Sequence, residues 1–150
     1  RKQMEPSAPS RVLVVAHRTA GTPPLLEAVR ERAARGSATF TLLVPRSPHA
    51  RHHFVDPEDT VAEEAELVLA LALPLLEEAA GSHVEGIIGD SEPLEAIQDA
   101  VSVHGFDEII VSILPARVSR WLRMDLPSKL SGLGHVVTTV TASAGDLGEG

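Results

Sequence analysis

A regular alternation between short β-branched apolar runs and stretches of helical periodicity most constrains the fold of this chain. The apolar runs cover residues 11–16, 38–44, 83–88, 108–113 and 136–141. Runs of this length and composition are typical of strands buried on both faces of a parallel sheet. Because helical patterns separate the runs, right-handed β–α–β crossovers are expected. We therefore predict a single doubly wound α/β domain with helices on both faces of a five-stranded parallel sheet.

Proline marks the start of two predicted helices. Pro23 follows Thr22, which can cap a helix, and Pro57 follows Asp56 in the same way. Proline is tolerated at the first helical position because the N–H it lacks would have no partner there. Pro74 lies within the second helical pattern and predicts a kink or a break just before it. The predicted buried stripe of that helix is Val61, Ala65, Val68, Ala72, Leu75 and Ala79, and further helices are predicted over 92–104 and 127–133.

Length, charge and cysteine content exclude several classes of protein. The chain has 150 residues, a net charge of −8 and no cysteine. The acidic charge disfavours nucleic acid and anionic membranes as partners, and the absence of thiols suits a reducing compartment. The longest apolar run, residues 67–76, is about half the length of a membrane span. We expect a cytoplasmic protein whose domain occupies residues 11–141, between flexible segments at 1–10 and 142–150.

The predicted topology indicates where a ligand would bind. In doubly wound sheets, ligands occupy a crevice at the carboxyl ends of the strands, where the strand order reverses. The loops that reach this edge follow the first, second and fourth strands, at residues 17–21, 45–56 and 114–128. These loops should contain the functional residues.

One pair of motifs resembles the universal stress protein family. The chain reads Gly-Asp-Ser-Glu-Pro-Leu-Glu-Ala-Ile over 89–97 and, ten residues later, Asp-Glu-Ile-Ile-Val over 107–111. The family has a glycine turn before a helix and then an acidic residue leading into the fourth strand, and the resemblance spans most of residues 11–141. It implies the strand order 3-2-1-4-5, a homodimer and, in many members, a bound adenine nucleotide.

The nucleotide-binding motif of that family is absent from this chain. Nucleotide-binding relatives have an aspartate directly after the first strand, where this chain has His17, and a glycine-rich pattern after the fourth strand. At the corresponding place this chain has Ser112, and no glycine lies between Gly105 and Gly132. Since those glycines let backbone N–H groups approach phosphate closely, an adenine nucleotide is possible but no cofactor is assigned.

A basic segment replaces the glycine-rich loop. Arg117, Arg120 and Arg123 recur at a spacing of three, with Ser119 among them. One interpretation is an anion site in which guanidinium groups and hydroxyls replace backbone amides. The alternative is a solvated basic face over a buried Trp121, or a contact with a partner's acidic surface. The candidate ligand-binding residues are His17, Val44, Ser112, Arg117, Ser119, Arg120, Arg123 and Ser128.

Neither a metal site nor a catalytic centre is predicted. His49, His52 and His53 could bind a metal with Asp56 nearby, but a flexible loop that happens to contain histidine is the better interpretation. His17 could contact a ligand base or cap a backbone group. The sequence contains no nucleophile elbow, P-loop or dinucleotide fingerprint. Asp107 and Glu108 begin a strand at the edge away from the loops, which indicates solvent exposure or capping rather than acid–base catalysis.

Three functional hypotheses follow. The first is a non-catalytic regulatory protein of the stress-response type that forms a dimer through its last strand and binds a nucleotide or another small anionic ligand. The predicted dimer edge consists of Val136, Val137, Thr138, Thr139 and Val140. The second is a ligand-free module for protein interaction, in which arginines and Trp121 form the contact surface. The third is a nucleotide hydrolase or transferase.

Overall fold

The computed structural model describes residues 9–17, 19–46, 57–90, 92–113, 121 and 125–142. Its strands are β1 (Ser10–Val15), β2 (Ala38–Pro45), β3 (Val84–Gly89), β4 (Glu108–Ile113) and β5 (Val136–Thr141). Its helices are α1 (Pro23–Arg35), α2 (Pro57–Ala80), α3 (Pro93–His104) and α4 (Leu126–Gly132). The segments predicted to be flexible, 1–10 and 142–150, lie almost wholly outside the described residues, so their flexibility stays a prediction.

The five strands form one parallel sheet in the order β3-β2-β1-β4-β5. The central strand β1 pairs with β2, so that Val14 lies opposite Leu42, and with β4, so that Val14 also lies opposite Ile110. This confirms the predicted α/β fold and the predicted strand order. It also places β1 and β4, whose crossovers lead in opposite directions across the sheet, side by side at the centre.

Side chains alternate along β1 between two hydrophobic clusters. Val12 and Val14 belong to the cluster that α1 and α2 cover, whereas Leu13 and Val15 belong to the cluster that α3 and α4 cover. All four side chains are at most 1% exposed. Burial on both faces explains why β1 is a continuous apolar run rather than an alternating pattern.

Helix α2 begins at Pro57, as predicted. Of the kink or break predicted at Pro74, the break does not occur, since the helix continues to Ala80 with Ala72 and Leu76 buried on either side of the proline. The predicted burial of Leu75 is wrong, since Leu75 is 42% exposed and Leu76 is 1% exposed. Apolar residues fill most of this helix, so several faces look equally suitable for burial and periodicity cannot choose between them.

The turn between β3 and α3 shows why the chain has glycine at position 89. A Cβ atom at Gly89 would lie 2.8 Å from Ala96 Cβ and 2.9 Å from Leu43 Cδ1, so α3 packs directly on the strand end. The next residue, Asp90, accepts a hydrogen bond from the Glu92 N–H at 3.0 Å through its carboxylate. A carboxylate at this position satisfies a donor at the start of the helix and interacts favourably with its dipole.

None of the helices among the described residues is both long enough and apolar enough to cross a membrane.

Candidate functional site

The candidate site lies where β1 and β4 end side by side. Beyond Val15, the Ala16 N–H still donates to the Leu43 carbonyl of β2 at 3.2 Å, and the chain then turns toward α1. The Ala20 N–H donates to the His17 carbonyl at 3.2 Å, and the Thr22 N–H donates to the Thr19 carbonyl at 3.1 Å. These bonds hold the β1–α1 loop over the carboxyl end of the sheet, which is the ligand position in doubly wound folds.

A buried pair of hydroxyl groups lies at this edge of the sheet, where the ligand crevice is predicted. Thr19 Oγ1 and Ser112 Oγ lie 2.6 Å apart and share a hydrogen bond. Each residue is 2% exposed. The bond joins the β1–α1 loop to the end of β4. Its loss would destabilise the fold, because it would leave a buried hydroxyl without a hydrogen-bond partner.

Thr22 fixes the same loop from the helix side. It occupies the predicted N-cap position of α1, but its hydroxyl makes no capping bond to the helix. The hydroxyl donates instead to the Thr19 carbonyl at 2.9 Å. Thr22 therefore occupies the predicted N-cap position but has a different role, because its side chain bonds to the loop and not to a helical N–H.

The hydroxyl pair retains one donor. Two hydroxyls carry two hydrogens, and the bond between Thr19 and Ser112 uses one of them. The second hydrogen is not used by this bond, so the pair carries a neutral donor at the carboxyl ends of β1 and β4.

The other predicted ligand-binding residues fall into two groups. Among described residues, His17 is half-buried at the end of β1, Val44 is 0% exposed within the core, and Ser128 is exposed on α4. Outside the described residues lie Arg117, Ser119, Arg120 and Arg123. The structure brings His17 and Ser112 to the same edge of the sheet through their strands, while ligand contact by any of these residues stays a prediction.

Comparison with known proteins rests on three-dimensional structure. No protein-family model matches the sequence, and no curated protein matches it. Solved structures do match. A universal stress protein from Archaeoglobus fulgidus superimposes with a TM-score of 0.62 at 14% identity, covering 87% of this chain and 93% of its own.

Two further matches contain a nucleotide. A universal stress protein in complex with cAMP has a TM-score of 0.57 at 17% identity, with coverage of 89% of this chain and 98% of its own. A universal stress protein family protein from Arabidopsis thaliana with AMP bound has a TM-score of 0.56 at 16% identity, with coverage of 91% and 94%. This chain has the universal stress protein fold. The resemblance inferred from the motifs at 89–97 and 107–111 is confirmed at the level of fold.

Within this universal stress protein fold, a two-pronged ion pair between described residues lies at the opposite edge of the sheet. Arg32 of α1 donates hydrogen bonds to the Glu108 carboxylate at the start of β4. The distances are 2.8 Å for Nε–Oε1, 3.0 Å for Nε–Oε2 and 2.6 Å for Nη2–Oε2. Their side chains are only 10% and 23% exposed. This two-pronged geometry is the strong form of the arginine–carboxylate pair.

The pair shifts the pKa values of both partners. The hydrogen bond from Arg32 lowers the pKa of the Glu108 carboxyl from its ordinary value, against the opposing effect of burial. The same bond raises the pKa of the Arg32 guanidinium. An open cavity of about 390 Å³ adjoins the pair and reaches Ile110 and Thr138. Because it lies by the amino end of β4, this cavity is separate from the predicted crevice.

Asp107 confirms the capping interpretation. Its carboxylate accepts a hydrogen bond from the Arg11 N–H at 2.8 Å, and its own N–H donates to the Arg11 carbonyl at 2.8 Å. These bonds join the starts of β1 and β4. For Glu108, sequence reasoning missed the partner, Arg32, which lies 76 residues away.

The described residues contain no group of three histidines, aspartates or glutamates that could hold a metal ion. His49, His52 and His53, for which metal binding was considered, lie outside the described part of the chain. His83 is 73% exposed and pairs with Glu77 and Glu85. It is a surface residue.

Proposed function

We propose that this chain is a non-catalytic regulatory protein of the stress-response type, with a crevice for an adenine nucleotide or a similar anionic ligand. The observation that carries the proposal is the hydroxyl pair of Thr19 and Ser112 at the carboxyl ends of β1 and β4. Proteins of the same fold have been solved with AMP and with cAMP. The hydroxyl pair supplies a hydrogen-bond donor where the strand order reverses, although the sequence lacks the glycine-rich motif of nucleotide-binding universal stress proteins.

Anion binding by an acidic protein needs a local positive charge. The chain carries a net charge of −8, yet Arg117, Arg120 and Arg123 follow β4 closely in sequence. We assign to these arginines the role of phosphate or carboxylate donors, because a guanidinium group binds either anion through two parallel hydrogen bonds. His17, directly after β1, is the proposed contact for the base.

Lack of catalysis is part of the proposal. A serine nucleophile needs a neighbouring base that takes up its proton. The described bond of Ser112 is to Thr19, a hydroxyl that cannot serve as such a base at neutral pH. We therefore expect binding without turnover.

Isothermal titration calorimetry of the full chain with AMP, cAMP and ATP tests the proposal. We expect saturable binding of at least one nucleotide, which also raises the thermal midpoint because ligand stabilises the folded state by mass action. Arg120→Ala should weaken binding about tenfold, in line with loss of one charge-assisted hydrogen bond. Arg30→Ala is the matched control, since Arg30 pairs with Glu27 on an exposed face of α1.

The results separate the candidate functions. Equal weakening by both variants, or no heat with any nucleotide, contradicts the proposed site. Release of phosphate or pyrophosphate during the titration contradicts the non-catalytic role. A complete lack of binding would favour a protein-interaction module, which the full burial of Val44 also supports.

The proposal extends to assembly and location. We propose a homodimer through β5, whose Val136, Thr138 and Thr139 are exposed while Val137 and Val140 are half-buried. We also propose a cytoplasmic location, in keeping with a cysteine-free chain. Fluorescence microscopy of the full chain in its native cell tests the location, and the oligomeric state is considered with the whole molecule below.

A further inference from the structure

Helix α2 exposes a straight line of leucines that has acidic residues at both ends. The line consists of Glu64, Leu67, Leu71, Leu75 and Glu78, at successive spacings of three, four, four and three residues. Residues at these spacings lie on one face of a helix. Leu67 is 60% exposed, Leu71 is 66% exposed and Leu75 is 42% exposed, and both glutamates are exposed as well. We call this set the acidic leucine stripe.

The described core draws on the opposite side of α2 rather than on the acidic leucine stripe. The opposite side of α2 supplies Ala65, Ala72, Leu76 and Ala79 to the core, each at most 7% exposed. Leu75 is the least exposed of the three leucines because its Cδ1 packs beside Gly21. Ala70 and Pro74 are also exposed and widen the apolar surface. Single exposed leucines are ordinary, but large apolar side chains exposed together on one face indicate an interaction site.

Charge identifies the kind of partner that fits. Helix α2 contains seven acidic residues and no basic residue, namely Glu58, Asp59, Glu63, Glu64, Glu66, Glu77 and Glu78. A second copy packed against this face would bring glutamate against glutamate in either orientation. An anionic lipid surface would be repelled in the same way. A partner with basic groups at both ends of an apolar stripe would instead complement the surface.

We propose that the acidic leucine stripe binds an amphipathic helix of a partner protein that carries a basic residue at each end of a three-residue apolar stripe. The apolar side chains of the partner would pack between Leu67, Leu71 and Leu75, as ridges pack into grooves between helices. Lysine or arginine at the two ends would reach Glu64 and Glu78. The leucines supply affinity, and the glutamates set which helices are accepted.

A labelled synthetic peptide tests this proposal on the full chain. The peptide carries three leucines spaced four residues apart, with a lysine three residues before the first and another three residues after the last, and a second peptide has glutamate in place of both lysines. Fluorescence anisotropy should show saturable binding of the lysine peptide, about tenfold tighter than that of the glutamate peptide and weaker at high salt.

Variants of α2 test the two parts of the surface separately. Leu71→Ser should weaken binding of the lysine peptide about tenfold, while Val103→Ser, at a residue 75% exposed on α3, should leave it unchanged. The double substitution Glu64→Lys with Glu78→Lys should reverse the preference, so that the glutamate peptide binds more tightly. Unchanged thermal midpoints will show that the variants fold, as expected for surface substitutions.

Several outcomes overturn the proposal. Equal affinity for the two peptides would show that charge does not select the partner. Unchanged binding by the Leu71→Ser variant would place the peptide elsewhere. If Leu71→Ser instead converts an associated form of the unliganded chain into a smaller one in sedimentation velocity, the stripe is covered by a second copy and not by a basic helix.

Discussion

At the scale of single residues, the candidate site contains a hydrogen bond whose two regions, but not whose pairing, could be predicted from the sequence. The loop over 17–21 and Ser112 were both predicted to reach the ligand edge, but the bond between Thr19 and Ser112 joins residues 93 positions apart. The sequence does not identify the hydrogen-bond partner of a threonine or a serine, because both residues are common in loops and can bond to nearby backbone groups. Only the register of β1 with β4 brings the two hydroxyls together.

Ser112→Ala should lower the free energy of unfolding by about 1–2 kcal/mol, because it removes the partner of a buried hydroxyl. The double variant with Thr19→Val should recover part of this loss, since replacing both hydroxyls with apolar groups of similar shape can be nearly neutral. Urea denaturation measures both effects. Ser102→Ala, at an exposed serine of α3, is the control and should have little effect. A double variant that is as unstable as the two single losses added together would contradict a direct bond.

The pair of Arg32 and Glu108 was not predicted, and it reveals a limit of helical periodicity. Arg32 is 9% exposed on the buried side of α1 beside Leu25 and Val29. A charged residue on such a face is expected to find a partner of opposite charge. The pattern therefore indicates that a partner exists but not which carboxylate it is.

Glu108→Gln should lower the free energy of unfolding by about 2 kcal/mol at neutral pH, because it leaves a partly buried guanidinium without its anion. The loss should depend on pH. Arg32 lowers the pKa of Glu108 in the folded state. The stabilisation by this pair is therefore fully present above the pKa that Glu108 has in the unfolded chain. It disappears as the pH falls through the folded-state pKa. The difference between the two proteins should therefore shrink on acidification.

Urea denaturation of the wild type and of the Glu108→Gln variant, from neutral pH down to about pH 3, measures this difference. Glu27→Gln is the matched control, because Glu27 pairs with Arg30 through side chains that are 58% and 56% exposed. Exposed pairs of this kind contribute little to stability. A difference for Glu108→Gln that stays constant, or that grows on acidification, would show that Arg32 does not hold the carboxylate in its charged form.

At the scale of elements, the strands could be predicted because each is a short run rich in β-branched residues. β4 and β5 were predicted at the residues where they lie, 108–113 and 136–141, although β4 is largely buried and β5 is largely exposed. Helix α2 could not be predicted in the same detail. Its apolar residues outnumber the positions that face the sheet, so the choice of Leu76 over Leu75 for the core depends on packing against the rest of the molecule.

Gly89→Ala tests the packing of α3 on the sheet. The new methyl group would lie within 3 Å of Ala96 Cβ and Leu43 Cδ1, and overpacking of this kind costs about 1–3 kcal/mol. We expect a lower midpoint in urea denaturation. Gly132→Ala is the control, because a Cβ there would meet nothing within 4 Å, and it should be neutral or stabilising in a helix. Equal effects of the two substitutions would show that α3 does not approach the strand so closely.

At the scale of the whole molecule, the two edges of the sheet are unequal. The edge strand β3 is covered by α2, and its residues are buried or half-buried apart from Glu85. The edge strand β5 leaves Val136, Thr138, Thr139 and Thr141 exposed. An exposed β-branched edge offers unpaired backbone groups to another chain, and natural proteins cover such edges or use them for assembly. The asymmetry favours β5 over β3 as the seam of a homodimer.

Sedimentation velocity of the full chain should therefore give a mass about twice the 15.9 kDa of one chain. Val136→Lys should shift the population toward the monomer, because lysine on an edge strand places charge in the seam. Val136 is 62% exposed, so the isolated fold should tolerate the change. Val103→Lys alters a valine that is 75% exposed on α3 and should leave the dimer intact. A monomer at every concentration measured, or equal dissociation of the dimer in both variants, would show that β5 is not the dimer interface. The exposed residues of β5 would then indicate a different partner.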